Sequence, residues 1–320
     1  MKVGILGLGY MGQIRRDALR GRGDVELVRV FHTDASAPMH AERWQDVVDD
    51  PAIDAVLVCL PNHLTCEVTV RALRAGKHVF AEKPPGVSAA EVRAMQEAER
   101  ASGRTLQFGF DLRQHDALLR AHALVRDGEL GRVRWLRGVY GKPRDPSFEQ
   151  GWRADRALAG GGILLDQGIH MLDLLLWLSG GLSELHAFAS PTPPQLDEDT
   201  MVILRGPSGV LASLHSSHSQ SPPTFVLDLG LERGTIHVEG LVTRSGRYGP
   251  ETIAWGPPDA PRAHAETFTM QRAWDRELDA FFAAAATGAR PTTGTSDDAL
   301  AIMLLVDRIH AAAGEPGGSR

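Results

Sequence analysis

Met1-Lys-Val-Gly-Ile-Leu-Gly-Leu-Gly-Tyr-Met-Gly12 opens the chain. A short apolar run, Val3 to Leu6, leads directly into Gly7-x-Gly9-x-x-Gly12, and Gln13 to Arg20 continues with helical character. Strand, glycine-rich loop and helix N-terminus form the order that a dinucleotide-binding turn requires. Gly7 allows the tight turn, Gly9 leaves the backbone open to a pyrophosphate, and Gly12 lets the helix pack close to its strand. The first N–H groups of that helix have no partners within it and suit phosphate oxygens. Gly7, Gly9, Tyr10, Met11 and Gly12 are therefore the expected cofactor-binding turn. An ordinary glycine-rich turn is the competing reading, but it does not account for the strand before and the helix after.

Outward from this turn, the first third alternates strand and helix signals. Val25–Phe31 reads as a second strand, and Ala55–Leu60 is a continuous apolar run suited to a parallel strand buried on both faces. A helical pattern from about Leu64 to Ala75 stops at Gly76, and His78–Ala81 is a short strand. Ser88 with Glu91 forms a capping box for a helix that ends near Gly103, ahead of a strand at Thr105–Phe108. Repeated βα units with short loops predict a parallel, doubly wound sheet. The pattern then changes. Arg113–Arg126 looks helical, Gly128–Gly131 is a turn and Val133–Tyr140 is a longer strand. Leu185–Ala189, Met201–Leu204, Val210–Ser217, Phe225–Leu231 and Thr235–Val238 are strand-like runs between turns, and Arg272–Ala286 and Asp297–Ala313 read as helices. The expectation is an α/β chain. Residues 1–115 form a Rossmann domain, and 116–320 form a substrate-binding and oligomerisation α+β domain on a mostly antiparallel open sheet. Pro191–Pro194 and Gly256–Pro261 read as surface loops, and the tail from Gly314 as frayed.

A length of 320 residues gives each of two domains enough chain to bury its own core. A net charge of −6 without a basic run argues against nucleic acid as a partner. Cys59 and Cys66 fit neither a disulfide framework nor a zinc site, and no basic-then-apolar leader precedes the first strand. A reducing, cytoplasmic setting is expected. The most apolar stretch, Ile163–Leu178, is interrupted by Asp166, Gln167, His170 and Asp173, which suits a buried helix better than a membrane span.

Three local patterns could carry chemistry. In Ala75-Gly-Lys-His-Val-Phe-Ala-Glu-Lys-Pro84, Lys83 follows a short strand at its carboxyl end, the edge where open parallel sheets bind ligands. A lysine there can meet a substrate hydroxyl; a surface lysine in a turn is the plain alternative. In Gly160-Gly-Gly-Ile-Leu-Leu-Asp-Gln-Gly-Ile-His170, Asp166 and His170 share a helix face within apolar surroundings. Such a pair fits general acid–base work, or else it only satisfies nearby backbone groups. No third ligand accompanies them, so no metal is expected. In Gly151-Trp-Arg-Ala-Asp-Arg156, Trp152 could stack on a sugar ring and Arg153 could donate to substrate oxygens, or the two could be a structural anchor and a surface arginine.

Together these motifs resemble the glucose–fructose oxidoreductase, inositol dehydrogenase and MocA (Gfo/Idh/MocA) family over nearly the whole chain. The resemblance rests on Gly7-x-Gly9-x-x-Gly12, Pro61-Asn62, Ala75-Gly-Lys-His through Glu82-Lys83-Pro84, and Gly160-Gly-Gly through Asp166 and His170. It implies that Lys83, Asp166 and His170 are the catalytic trio, with Trp152 and Arg153 beside the substrate. It also implies that Leu60, Pro61, Asn62, Glu82 and Lys83 hold the nicotinamide half of NAD or NADP. The expected reaction moves a hydride between nicotinamide and a secondary hydroxyl or ketone of a sugar, sugar derivative or cyclitol, in a homodimer or homotetramer. Two departures stand out. Many relatives have a histidine where this chain has Thr65, and His63 follows Asn62 instead. The end of the second strand carries His32-Thr33, which could bond the ribose, with Asp34 after them and no arginine at once to clasp a 2′-phosphate. Arg15 and Arg16, on the helix after the glycine loop, are the arginines expected to lie close to that place. Two rivals use the same cofactor loop. One is a glycosidase that oxidises and re-reduces its sugar within one cycle. The other is a non-catalytic redox sensor, which has no need of Lys83, Asp166 and His170 together.

Overall fold

The computed structural model describes every residue except 35, 38, 145, 147–149, 193–195, 242, 245, 246 and 315–320. Part of the loop expected around Pro193 and most of the expected frayed tail lie outside the described residues. The chain forms two compact units. One comprises Met1–Asp111, Ala157–Gly160 and Trp274–Leu304; the other comprises Leu112–Arg156, Gly161–Ala273 and the chain from Leu305 on.

The first unit runs β1 (Lys2–Leu6), α1 (Tyr10–Leu19), β2 (Glu26–Phe31), β3 (His40–Ala41), α2 (Trp44–Val48), β4 (Ala55–Val58), α3 (Asn62–Arg74), β5 (His78–Glu82), α4 (Ala89–Ser102) and β6 (Leu106–Gly109). The strand order is β3-β2-β1-β4-β5-β6, and every pair is parallel. This is the doubly wound Rossmann order, whose direction reverses between β1 and β4. The carboxyl ends of those two strands therefore flank the crevice where such sheets bind ligands. All residues of β4 and β5 are buried, as apolar runs covered by helices on both faces require. The Ser88 hydroxyl accepts the Glu91 N–H at 3.4 Å. The Glu91 carboxylate takes the Val87 N–H at 2.8 Å, one residue before the position that a standard box uses. The unit also contains Trp274–Leu304. Leu278, Phe281 and Phe282 from that segment join Val3, Ile5, Val30, Leu57 and Phe80 in one buried cluster.

The second unit is built on an eight-stranded sheet with α5 (Asp116–Asp127) and α7 (Ile169–Ser179); the short α6 (Arg156–Ala159) lies between these two helices in the chain. Its strands are β7 (Val133–Gly141), β8 (Glu184–Thr192), β9 (Leu196–Arg205), β10 (Leu211–Ser217), β11 (Thr224–Leu231), β12 (Gly234–Gly240), β15 (Glu251–Gly256) and β16 (His264–Phe268). A small hairpin, β13 (Thr243–Arg244) and β14 (Arg247–Tyr248), stands apart from it. The order β16-β15-β12-β11-β7-β10-β9-β8 is antiparallel throughout except for the β7–β10 pair. The sheet is thus mostly antiparallel, as the sequence suggests, and extends through β15 and β16, which the sequence reading does not include. α7 lies on the inner face: a Cβ at Gly138 of β7 would stand 2.4 Å from Met171 Cγ.

Candidate active site

In the first unit the three loop glycines do three different things. Gly7 has φ +95°, and a Cβ there would stand 2.4 Å from the Cys59 carbonyl oxygen at the end of β4. At Gly12 a Cβ would stand 1.9 Å from the Gly7 carbonyl oxygen, so only glycine lets α1 close onto its own turn. At Gly9 a Cβ would meet nothing within 4 Å, so this side of the loop is open to an approaching group. Gly9 is also the N-cap of α1 and provides no side-chain acceptor. The first-turn amides, with the positive end of the helix dipole, suit a pyrophosphate. These residues fit the nucleotide.

The end of β2 adds His32, whose Nδ1 accepts the Leu8 N–H at 3.4 Å, so that Nε2 carries the ring proton. The histidine is thereby seated against the glycine loop. Thr33 is exposed, and Asp34 accepts the Ser36 N–H at 2.9 Å within its own turn. Neither nearby arginine is placed as a phosphate clasp. Arg15 is fully buried, donating to Glu82 at 2.6 Å and to Glu277 at 2.7 Å, and Arg16 donates to Asp17 at 3.1 Å. Burial opposes the charge of Arg15, but the two carboxylates outweigh it and raise its pKa. Asn62 opens α3 behind Pro61 and donates from Nδ2 to the Ala159 carbonyl at 2.7 Å, so its amide ties down the segment that leads into the Gly160 triplet. Leu60 lies against Gly7, with Cδ2 3.3 Å from where a Cβ would be. The Glu82 carboxylate is turned inward to Arg15, and Lys83 follows it, partly buried, at the carboxyl end of β5. Burial raises the Cys59 thiol well above its usual range and the Cys66 thiol to about 11, so neither is a ready nucleophile.

In the second unit the helix carrying Asp166 and His170 is not α-helical at its start. Leu164–Gly168 form a single π turn that runs into α7. A π turn inserts an extra residue and is a recurrent feature of functional sites. Asp166 lies inside it, part-exposed, with Oδ2 3.7 Å from Lys142 Nζ. His170 is buried in the first turn of α7, its ring centroid 6.3 Å from that of Tyr140. The turn packs tightly on β10, where a Cβ at Gly168 would stand 3.1 Å from Ser216 Oγ. His218, just past β10, is pushed below the usual imidazole range by burial, against the pull of Asp166. Trp152 and Arg153 lie on a short 3₁₀ turn with the Arg153 guanidinium 4.1 Å over the indole, so one face of Trp152 is already occupied by its neighbour.

Two anchors of this helix escape the sequence reading. Asp197, fully buried on β9, accepts the Gly162 and Leu164 N–H groups, both at 2.7 Å, and the Thr200 hydroxyl at 3.1 Å. Burial works against its charge, yet His310, 3.6 Å away, and the two amides hold its carboxyl below the usual range. Gly162 is required for this approach, because a Cβ would stand 2.1 Å from the Asp197 carbonyl oxygen. Further along, Arg113 grips Asp173 with two hydrogen bonds of 2.8 and 2.5 Å, three residues beyond His170. The interrupted apolar pattern around Asp173 was the available signal, but its partner lies far away in sequence.

Residues 1–110 match the oxidoreductase family with an NAD-binding Rossmann fold, and residues 118–237 match the GFO/IDH/MocA C-terminal domain. The chain is 29% identical to levoglucosan dehydrogenase of Pseudarthrobacter phenanthrenivorans over 215 residues, 61% of this chain and 55% of that protein. It therefore spans only about half the length of that relative. It is 28% identical to inositol 2-dehydrogenase of Rhizobium meliloti over 328 residues, 96% of this chain and 95% of that one. The fold superposes on aldose-aldose oxidoreductase from Caulobacter crescentus with a TM-score of 0.84 and 26% identity, covering 98% of this chain and 97% of the other. The glycine loop with its open side at Gly9, the Rossmann strand order, the mostly antiparallel second sheet and these matches agree: the chain belongs to the Gfo/Idh/MocA family of oxidoreductases and carries its NAD-binding Rossmann domain.

Proposed function

We propose that this protein is a dehydrogenase that oxidises a secondary alcohol of a sugar, sugar derivative or cyclitol, or reduces the matching ketone. When bound, the nicotinamide supplies the hydride acceptor or donor. The proton work falls to the chain's own residues. His170 takes the hydroxyl proton in the oxidative direction, Lys83 donates to the developing alkoxide oxygen, and Asp166 orients and tunes the pair. Acid–base help of this kind contributes ~10²–10⁴-fold. The observation that carries the reading is the π turn, which holds Asp166 part-exposed and His170 buried just beyond it, in a chain whose other unit has a nucleotide loop. NAD is favoured over NADP, because Arg15 is buried between two carboxylates, Arg16 pairs with Asp17, and His32 occupies the end of β2. The test is a panel of pyranoses, inositols, nucleotide sugars and aminoglycosides incubated with NAD or NADP while nicotinamide absorbance is followed. Reduction with at least one of them, faster with NAD, is expected. Release of free sugar from a glycoside without net nicotinamide change would favour the glycosidase reading instead.

A homo-oligomer, dimer or tetramer, is part of the same proposal. The outer face of the second sheet carries Trp135, Phe188, Met201, Ile203 and Leu211, from 42% to 80% exposed. Strand register puts Leu211 beside Trp135 and Met201 beside Phe188, with Ile203 two residues beyond Met201 on the same strand face. Patches of this kind mark association surfaces, and a second copy presents the same face with two-fold complementarity.

A further inference from the structure

Arg15 has a surrounding that stability alone does not call for. It is 0% exposed, and its guanidinium is fully caged: Nε donates to Glu82 at 2.6 Å, Nη2 to Glu277 at 2.7 Å and Nη1 to the Trp274 carbonyl at 3.4 Å. Phe80 lies under it with its centroid 4.6 Å away. Apolar residues of equal volume often hold a core as well as a buried ion pair does, so such a cage argues for position rather than stability. The three charged groups come from distant parts of the chain. Arg15 lies on α1, one turn beyond Gly12, Glu82 is the last residue of β5, and Glu277 is on α8 (Ala273–Thr287). The space for the cage comes from β6. Gly109 pairs with Glu82 in the sheet, and a Cβ there would stand 3.0 Å from Glu82 Oε2 and 3.2 Å from Arg15 Nη2.

We propose that Arg15 is a positioning residue: its guanidinium clamps the Glu82-Lys83-Pro84 turn to the helix that begins at the nucleotide loop, and thereby fixes Lys83. The inference rests on the reading of Lys83 as a catalytic group. With the Glu82 carboxylate held, the backbone that leaves β5 is fixed at the residue immediately before Lys83. Glu277 closes the cage from the other side. Burial pushes its carboxyl well above the usual range; Arg15 pulls it down, and Asp111 and Glu82 push it up further.

The test compares Arg15→Lys, Gly109→Ala and Glu277→Gln with the wild type by turnover per bound nucleotide and by hydrogen–deuterium exchange of the Glu82, Lys83 and Gly86 amides, the exchangeable groups of the 82–86 turn beside Pro84 and Pro85. Lysine keeps the charge but lacks the rigid fork that fixes both carboxylates and the Trp274 carbonyl at once. Alanine at 109 crowds the cage without touching a charge. Both should lose about 100-fold in turnover per bound nucleotide, the scale of a small misplacement of a catalytic group. Both should speed exchange in the 82–86 turn by about tenfold while the rest of the unit is unchanged. Glu277→Gln keeps an acceptor for Arg15 and should stay within about twofold of wild type. If Arg15→Lys does not fold, Gly109→Ala carries both readouts. Wild-type turnover in a folded Arg15→Lys or Gly109→Ala protein, or faster exchange spread evenly over the unit, would overturn the proposal. If the wild type itself oxidises no polyol while exchange still rises only at 82–86, the clamp stands and the dehydrogenase reading fails.

Discussion

Glu277 is a carboxylic acid that shares one buried guanidinium with a second acid, and its titration should be visible in the stability of the protein. Its folded pKa lies well above the unfolded value of about 4.3, so the folded state keeps a proton that the unfolded chain has lost. The stability associated with its neutral form is therefore complete below the unfolded pKa and declines as pH rises through it toward the folded value. Glu277→Gln has no such decline. Thermal melts should show the variant gaining on wild type steadily from about pH 4 upward; a constant difference across pH would mean that Glu277 is ionised in both states. Arg15 itself reads in the sequence as a possible 2′-phosphate clasp, and the structure corrects that. The missed signal was helical phase: Gly12, Arg15 and Leu19 are the buried residues of α1, at spacings of three and four. At the residues proposed to be catalytic, His170→Ala should bind nucleotide normally yet lose most turnover, along with the rise of oxidation rate with pH that a base produces. Lys83→Ala should also lose turnover. If both residues act on one proton, as proposed, the double variant should lose far less than the product of the single losses; multiplicative losses would show two independent roles.

The π turn and its anchors show what an element-level reading can and cannot reach. Asp166 and His170 stand four apart in an apolar run, which is enough to read a shared face from the sequence but not enough to show that the backbone departs from α geometry there. The turn is packed where Gly162 closes on Asp197 and Gly168 closes on Ser216, contacts with residues far away in sequence. Asp197 itself lies in Asp197-Glu-Asp199, ahead of the strand read at Met201–Leu204, and only the folded sheet buries it at the start of the helix. Its carboxyl is depressed in the folded state, so the stability it contributes is present above the unfolded pKa of about 3.9 and is lost as pH falls through the folded value. Asp197→Ala leaves two buried N–H groups without their acceptor and should cost about 3 kcal/mol at neutral pH. The deficit relative to wild type should shrink in acid. Denaturant titrations at neutral and low pH would check both; a small loss at neutral pH would remove Asp197 as the anchor of the turn. The strands β15 and β16 went unread for another reason. Glu251–Gly256 offers only Ile253-Ala254-Trp255 before Pro257-Pro258, and His264–Phe268, an edge strand, mixes His264, Glu266 and Thr267 with Ala265 and Phe268, so neither has a long apolar run.

Across the whole molecule, the βα alternation of the first hundred residues gave away the Rossmann sheet, because every βα unit there is local in sequence. The return of Trp274–Leu304 to complete that unit was not legible, since an amphipathic helix does not say which core it covers. Association also belongs to this scale. Phe188→Glu with Ile203→Glu places charges in the exposed patch of the second sheet, and light scattering should then report monomers where the wild type reports dimers or tetramers. A wild type that is already monomeric at micromolar concentration would refute the proposed assembly. The central claim is hydride transfer from a carbinol carbon to the nucleotide held at Gly7–Gly12, with His170 and Lys83 handling the proton. Its most direct measurement uses a substrate from the panel deuterated at the reacting carbon, with mass spectrometry of the recovered nicotinamide. The account expects one deuterium per turnover in NADH from the wild type and almost none from His170→Ala. Nucleotide that binds normally yet stays unlabelled, with deuterium kept in the sugar or lost to water, would contradict it.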